Sequence, residues 1–333
     1  MMYDNLKLDK GMYNEAGRSF TQVLESRDPN GPYQGTALEG LDAFQRQLKR
    51  FDIKVKGAGS DVVEKFFQTS ESAVLFPEFV ARAVKQGMEE ADMLPSIVAA
   101  VTRIEGMDYR SIESKPEAVN GAAKKIGEAE QIPATNVRAK EELTKLDKRG
   151  RMLVASYEAI RFQRIDLFAV ALRQIGAEMA RCQLEDAVNV LLEVSAANSF
   201  SLSGLGAGAL NYEALVEFWA KFDPYEMNTL LVSTDVMLKL LKIAEFKDAN
   251  AGMNFQGTGV LQSPMGAKLI RTAALPTGTM IGLDKRFALE MVQAGEVYVE
   301  CDKLIDRQLE RAAISCVTGF SKLYEDAVKL LEV

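Results

Sequence analysis

The chain has 333 residues, with 40 lysines and arginines against 47 aspartates and glutamates, a formal net charge of −7, and 47% hydrophobic residues. That balance describes a folded globular protein long enough for two domains, and it excludes broad electrostatic capture of nucleic acid, leaving only a local basic patch. Histidine is absent, which excludes histidine general bases, Ser–His and Cys–His nucleophile pairs and histidine-ligated zinc.

Residues 1–35 are polar and turn-rich, close on RDPNGPYQG, and read as an irregular arm. The start, MMYDNLKLDKGMY, lacks the apolar core of a signal peptide, so export by that route is not expected. Leu38, Leu41, Phe44, Leu48 and Phe51 recur at three- and four-residue steps and predict an amphipathic helix over 37–51. Asp61 and Glu64 have the spacing of a capping box for VVEKFF. Phe79, Val80, Ala83 and Val84 mark one face of a helix, which Pro95 stops. SIVAAVTRI then has the β-branched content of a strand.

The stretch 127–160 is long and charged, and its apolar residues are sparse until a dense run at 152–155. Residues 98–112 and 132–157 both favour extended structure, with turn signals between them and a candidate bulge at Gly106. Paired as a hairpin, arms of ~15 residues reach about 50 Å at 3.3 Å per residue. That exceeds the ~20 Å radius of gyration of a compact chain of this length. An isolated two-stranded hairpin is marginal in water, so this one is expected to be ordered by another subunit. A helical reading of VRAKEELTKL competes on propensity; Val137, Pro133 and Gly150 fit it poorly.

From Arg164, apolar residues hold helical spacing for about 28 residues, a helix of roughly 42 Å with Asp166 as a candidate cap. It ends in SAANSFSLSGLGAGA. Residues 211–284 read as a separate small α/β unit. In it Asn211 caps YEALVEFWAKF, NTLLVST is a buried strand, Asp235 caps VMLKLLKIAEF, and AKLIRTA and TMIGL are strands. FALEMVQ and VYVEC read as paired strands turning at AGE, DKLIDRQLER as a helix, AAISCVTGF as a strand and SKLYEDAVKLLEV as a closing helix. Strands scattered among helices without regular βαβ alternation predict an α+β fold.

Chemical motifs are few. GLGAGA (204–209), with Asp223 further on, resembles a dinucleotide loop, but that fingerprint needs a strand before it and a helix opening directly after it. The alternative is a hinge. Glu89, Glu90 and Asp92 read as solvated acids at a helix end. Ser203 lacks the leading glycine of a nucleophile elbow and has no histidine to activate it. Arg46, Lys49, Arg50, Lys54 and Lys56 form a basic cluster, either a solvated helix face or a contact for an acidic partner or nucleic acid. Cys182, Cys301 and Cys316 have no paired spacing and read as reduced, packed thiols in a cytoplasm. The 14 methionines are explained by irregular core packing. No catalytic, cofactor-binding or metal-binding residue is assigned, and no cofactor.

The order of segments resembles the major capsid proteins of tailed bacteriophages, with the Hong Kong 97-like fold. LFPEFVARAVKQGM is followed by a strand, the polar hairpin, GRMLVASYEAIRF and the long helix IDLFAVALRQIGAEMARCQLEDAVNVLL. NTLLVSTDVMLKLLK and AKLIRTAALPTGTMIGLDKRFALEM then resemble that family's axial domain, and AAISCVTGF its returning peripheral sheet. The resemblance covers roughly 70–320. It implies an N-terminal arm with helices at 1–75, a peripheral domain beginning at 76–104, an extended E-loop at 105–152, the spine helix within 153–195, an axial domain at 196–284 and a peripheral return with a C-terminal helix at 285–333.

It also implies a non-enzymatic protein that self-assembles into the hexamers and pentamers of an icosahedral virion capsid in the host cytoplasm. Portal, scaffolding or decoration proteins would be partners, packaged DNA would be touched only weakly, and no membrane would be involved. Some members carry a Lys–Asn cross-link. Lys124 and Lys125 lie near the hairpin tip, but no partner asparagine is placed and no cross-link is predicted. The segments expected at interfaces are 1–70, 98–157 and 249–266. Two alternatives stand: an encapsulin-type shell around enzyme cargo, and a nucleotide-binding enzyme using 204–209.

Overall fold

The computed structural model describes residues 2–15, 18–116, 125–128, 135–247 and 264–333. In chain order the elements are α1 (Phe20–Arg27), α2 (Ala43–Arg50), α3 (Ser70–Ala73), α4 (Leu75–Ala91), β1 (Val98–Ile104), β2 (Ile112–Pro116), β3 (Thr135–Ala139), β4 (Leu146–Ser156), α5 (Tyr157–Phe162) and α6 (Ile165–Leu192). They continue with β5 (Ser199–Ser201), α7 (Tyr212–Ala220), β6 (Thr229–Val232), α8 (Thr234–Leu240), α9 (Ala244–Lys247), β7 (Lys268–Arg271), β8 (Thr279–Leu283), β9 (Leu289–Ala294), β10 (Tyr298–Leu304), β11 (Leu309–Lys322) and β12 (Val328–Glu332). The class is α+β. The chain divides into two compact units, each discontinuous in sequence: 1–91, 149–180 and 296–316 form the first, and 92–148, 181–295 and 317–333 the second.

In the first unit the N-terminal residues are not an irregular arm. Capping boxes, Ser19 with Gln22 and Asp42 with Gln45, start α1 and α2. Leu8, Met12, Phe20, Val23 and Leu24 sink into the same core as α4, the first half of α6 and β11. Tyr13 stacks on Phe20 at 4.3 Å between ring centres, and its hydroxyl donates to the Val74 carbonyl at 2.7 Å. The stretch is polar, yet its few, widely spaced apolar residues anchor short turns onto a neighbouring core. The helix expected over 37–51 is shorter, because Gly40 takes φ 80° and the Asp42 cap starts the helix only at Ala43. Asp61 does not cap VVEKFF. Val62 occupies that position, and the Asp61 carboxylate instead accepts from the Lys54 backbone N–H at 2.7 Å and from Lys65 at 3.1 Å.

Helices α4 and α6 cross at two glycines. A Cβ on Gly87 would lie 2.1 Å from the Arg173 carbonyl oxygen, and one on Gly176 would lie 2.0 Å from that of Val84. Only glycine permits this backbone approach. The 28-residue length of α6 matches the expectation. Asp166 lies inside its first turn and accepts from the Leu167 N–H at 2.9 Å.

In the second unit a five-stranded sheet has the order β5-β12-β8-β6-β7. Alternation splits its side chains between two cores: Leu231, Ile281 and Leu330 join one, while Leu230, Val232, Met280 and Leu331 join the other. Both faces of this strand are buried, so Val328, Leu330 and Leu331 serve opposite sides of the sheet and not one helical stripe. The closing helix expected there is instead β12, laddered to β5 and β8. Asn211 caps α7 as expected, its side chain accepting from the Ala214 N–H at 2.8 Å. The N-cap of α8 is Ser233. Asp235 sits in that helix's first turn and accepts from the Gly278 N–H at 2.9 Å.

Two strand expectations change. β9 and β10 do not pair; β11 lies between them, pairing Tyr298–Leu304 through its first half and β9 through its second. DKLIDRQLER is not a helix: it is the end of β10, a turn with Gln308 at φ 52°, and the start of β11. Its charges pair across strands, as Arg311 does with Asp302.

Candidate assembly surfaces

The expected arms 98–112 and 132–157 do not pair with each other along their whole length. β1 pairs in parallel with β9, an apolar strand whose first four residues are buried and which takes partners on both sides. β4 pairs with β11. The excursion that remains is the antiparallel pair β2–β3, with Ile112 opposite Ala139 and Pro116 opposite Thr135. Two further backbone bonds extend it toward its root, Lys140 N–H to the Ser111 carbonyl and Thr144 N–H to the Tyr109 carbonyl, each 2.8 Å. The five-residue ladder spans about 17 Å at 3.4 Å per residue. Along the excursion Met107, Ile112, Val137 and Leu143 are all more than half exposed, as is Val101 on β1. None of them joins a hydrophobic core among the described residues. Lys125 is exposed beyond β2, whereas Lys124 lies outside the described residues.

A second apolar surface belongs to the first unit. A Cβ on Gly150 would lie 3.2 Å from Ser315 Cβ, and Ser315 is the register partner of Tyr298. Gly150, Ser315 and Tyr298 therefore form one row across β4, β11 and β10. By alternation, Met152 and Val154 share that face. The opposite face, carrying Leu153, Ala155, Ala312, Ile314 and Val299, packs on the core. Met152 is 53% exposed, Val154 50% and Tyr298 57%. A strand apolar on both faces, with one face open, is the pattern of a surface completed by another chain. The start of α6 shows the same on a smaller scale, with Leu167 and Val170 exposed three residues apart and Phe162 just before them.

The candidate chemical motifs are dispersed. Arg46 is not part of a surface patch. It is wholly buried, its Nε 2.7 Å from Asp28 Oδ2, with further bonds to the carbonyls of Asp28 and Leu41 and to Asn30, and its guanidinium lies 4.3 Å from the centre of the Tyr33 ring. Arg50 pairs with Glu71 at 3.1 Å. Lys49, Lys54 and Lys56 are left exposed. Periodicity assigned Arg46 to the polar face of α2; the unseen signal was Asp28, eighteen residues earlier. GLGAGA follows the short β5, but Gly206 closes a 3-10 turn at φ 75°, and α7 opens later with its N-terminus occupied by Asn211. Ser203 bonds only within this turn, 3.1 Å from Ser201 Oγ. Glu89 and Glu90 are exposed, and Asp92 accepts from the Leu94 N–H at 2.8 Å. Cys316 is buried, Cys182 half-buried and Cys301 exposed, none in a disulfide. Of the loop 249–266, only residues from 264 on are described. Among the described residues no cluster could hold a metal ion, and no helix is long and apolar enough to cross a membrane.

Sequence reasoning missed a group of hydroxyls at the hairpin root. Buried Glu290 on β9 accepts from Thr102, Tyr109 and Ser111. Burial, and then the Glu290 carboxylate, raise the Tyr109 hydroxyl above its ordinary pKa. An acid inside the apolar run LEMV was the available signal.

A long helix, a separate two-stranded excursion and a second unit with cores on both faces of its sheet make an α+β fold similar to that of Hong Kong 97-like capsid structures. Residues 140–303 match the family model described as phage capsid protein. Among solved structures, the capsid of a native GTA particle is similar at TM-score 0.57 and 15% identity, covering 72% of this chain and 90% of that one. The virus-like particle from Pyrococcus furiosus matches at TM-score 0.52 and 16% identity, covering 77% and 98%. The Microbacterium phage Oxtober96 structure matches at TM-score 0.51 and 10% identity, covering 73% and 91%. No curated protein matches the sequence.

Proposed function

We propose that this is a major capsid protein, whose copies self-assemble into the hexamers and pentamers of a closed icosahedral shell around packaged phage DNA. The observation that carries the reading is the pair of open apolar surfaces, the β2–β3 excursion and the free face of β4, β11 and β10, in a chain with the capsid fold. The excursion is the E-loop, within 105–152, and it laps onto a neighbouring copy. Residues 196–284 are the axial domain, meeting their counterparts around symmetry axes. The peripheral domain comprises 76–104, 153–195 and 285–333. Residues 1–75, packed on their own subunit, brace it. Many modest contacts per copy sum to a stable particle. Assembly takes place in the host cytoplasm, with portal, scaffolding or decoration proteins as further partners, and the role is structural rather than enzymatic.

Negative-stain microscopy and sedimentation of the purified chain test the reading. Uniform closed particles containing nucleic acid after expression alongside the packaging machinery are expected. A stable small oligomer that never forms shells would overturn it, and shells that consistently enclose one co-purifying enzyme would replace the phage role with that of a cargo compartment.

A further inference from the structure

Glu290 is an acid in a strand where an apolar residue would pack without cost. Leu289, Met291 and Val292 around it are buried, and Glu290 itself is 5% exposed. A carboxylate so placed must be fully hydrogen-bonded to be tolerated. Among the described residues it has no lysine or arginine partner; hydroxyls satisfy it. Thr102 Oγ1 donates at 2.5 Å, the Tyr109 hydroxyl at 2.7 Å, and Ser111 Oγ also donates. Thr102 lies on β1, which the ladder to β9 already holds. Tyr109 and Ser111 do not: they lie past Ile104, where the chain has left the sheet and is becoming the hairpin.

The return arm is held at the adjoining position. Lys140 Nζ donates to Ser321 Oγ at 3.1 Å and to the Lys322 carbonyl at 2.5 Å on β11, and Ser321 is the register partner of Glu290. The arms are tied to each other by the backbone bonds 144-to-109 and 140-to-111. Among the described residues, each arm of the excursion thus has a side-chain anchor on the sheet. Of the seven residues between β1 and β2, Tyr109 and Ser111 are those fixed to the sheet by side-chain bonds to Glu290.

We propose that Glu290 is the positioning residue of the assembly strap: through Tyr109 and Ser111 it fixes the direction in which the hairpin leaves its own subunit, and so sets the geometry of the shell from within. The inference rests on the assembly reading above. A strap is a lever, and a small tilt at its root displaces its far end by several times as much. Hydrogen bonds are directional where apolar contact is not, so the three hydroxyls on Glu290 pin the root in one orientation where an apolar residue would let it slide. The hydroxyls also explain why the outgoing arm is polar at its root when its outer positions, Met107 and Ile112, are apolar.

The test uses the full chain carrying Tyr109→Phe with Ser111→Ala, which removes both hairpin donors and leaves Glu290 and the sheet intact, and separately Glu290→Gln. Hydrogen exchange is followed at residues 105–112 and 137–144 and, as the internal reference, at 289–293, and particles are imaged. At least tenfold faster exchange at the hairpin root with unchanged protection of β9, and shells of mixed size or open form, are expected. Unchanged root exchange, or shells as uniform as those of the unaltered chain, would overturn the proposal. So would parallel loss of protection in β9, which marks ordinary core damage. If the unaltered chain forms no shells, the assembly reading falls, and root exchange against β9 exchange still decides whether Glu290 is the pin.

Discussion

Replacing Gly176 by alanine puts a methyl group where the backbone of α4 already lies. The new Cβ would meet the Val84 carbonyl oxygen at 2.0 Å and the Met88 nitrogen at 2.8 Å, while ordinary contact begins at 3.4 Å. The obstacle is backbone on a buried helix, so no side-chain rotation relieves it, and the helices must part by about an ångström. Overpacking of this kind costs about 1–3 kcal/mol, and the top of that range fits a clash with main chain. Alanine returns about 1 kcal/mol through its better helix propensity. The net loss is about 2 kcal/mol, or a fall of roughly 4–8 °C in Tm at ~2–4 °C per kcal/mol. Thermal unfolding of unassembled protein, followed by circular dichroism, reads it directly. Gly87→Ala meets the Arg173 carbonyl at 2.1 Å and behaves similarly. The double variant costs less than the two singles together, because one separation relieves both clashes. A Gly176→Ala protein that melts at or above the unaltered Tm would refute the close crossing.

Three further perturbations probe the buried charges and the open faces. Arg46→Ala strands the buried Asp28 carboxylate; breaking such a pair costs about 3–5 kcal/mol, measurable as a shifted urea midpoint, and a loss under about 1 kcal/mol would contradict the burial. Asp284 is fully buried; burial pushes its carboxyl up, but bonds from Arg286, from the Glu226 and Arg286 backbone N–H groups and from Asn228 outweigh this and hold it below the usual range. Its folded pKa being the lower one, its contribution is complete above the unfolded value near ~4 and fades as pH falls through the folded value. Asp284→Asn is therefore destabilised at pH 7, and its gap to the unaltered chain narrows on acidification; a gap independent of pH would contradict this. Met152→Asp and Val137→Asp, each at an exposed apolar position, leave subunit stability within about 0.5 kcal/mol while abolishing shells in sedimentation; normal shells from both would remove these faces from the assembly.

The long helix was legible because its apolar spacing stays in register for 28 residues, and the α7 cap because Asn211 acts on its own neighbour. What failed depended on distant partners. β12 looked helical because Leu323, Ala327 and Leu330 happen to fall on one face, whereas two cores claim Leu330 and Leu331 from opposite sides. A hairpin is present at β2–β3, but the stretches expected to form its base, β1 and β4, pair instead with β9 and β11, far along the chain. The basic cluster dissolved for the same reason: local pattern gives a face, and only tertiary structure says what lies against it. The hairpin was visible as a segment poor in core residues, but the open face at Met152 and Val154 was not, because a dense apolar run reads as core, nor was the root in Glu290, because an acid's partners are invisible in a one-dimensional reading.

The discontinuity of the two units carries a consequence for synthesis. The sheet of the second unit has β12 between β5 and β8, and among the described strands it is the last in chain order. While residues 328–332 are still within the ribosome, the sheet has a gap where its partners should meet, and both cores that Leu330 and Leu331 fill are open. Domains generally fold as units once their sequence has emerged. Here residues 328–332 complete a sheet whose first strand is laid down at 199–201, so the second unit closes only once β12 has emerged and docked between β5 and β8.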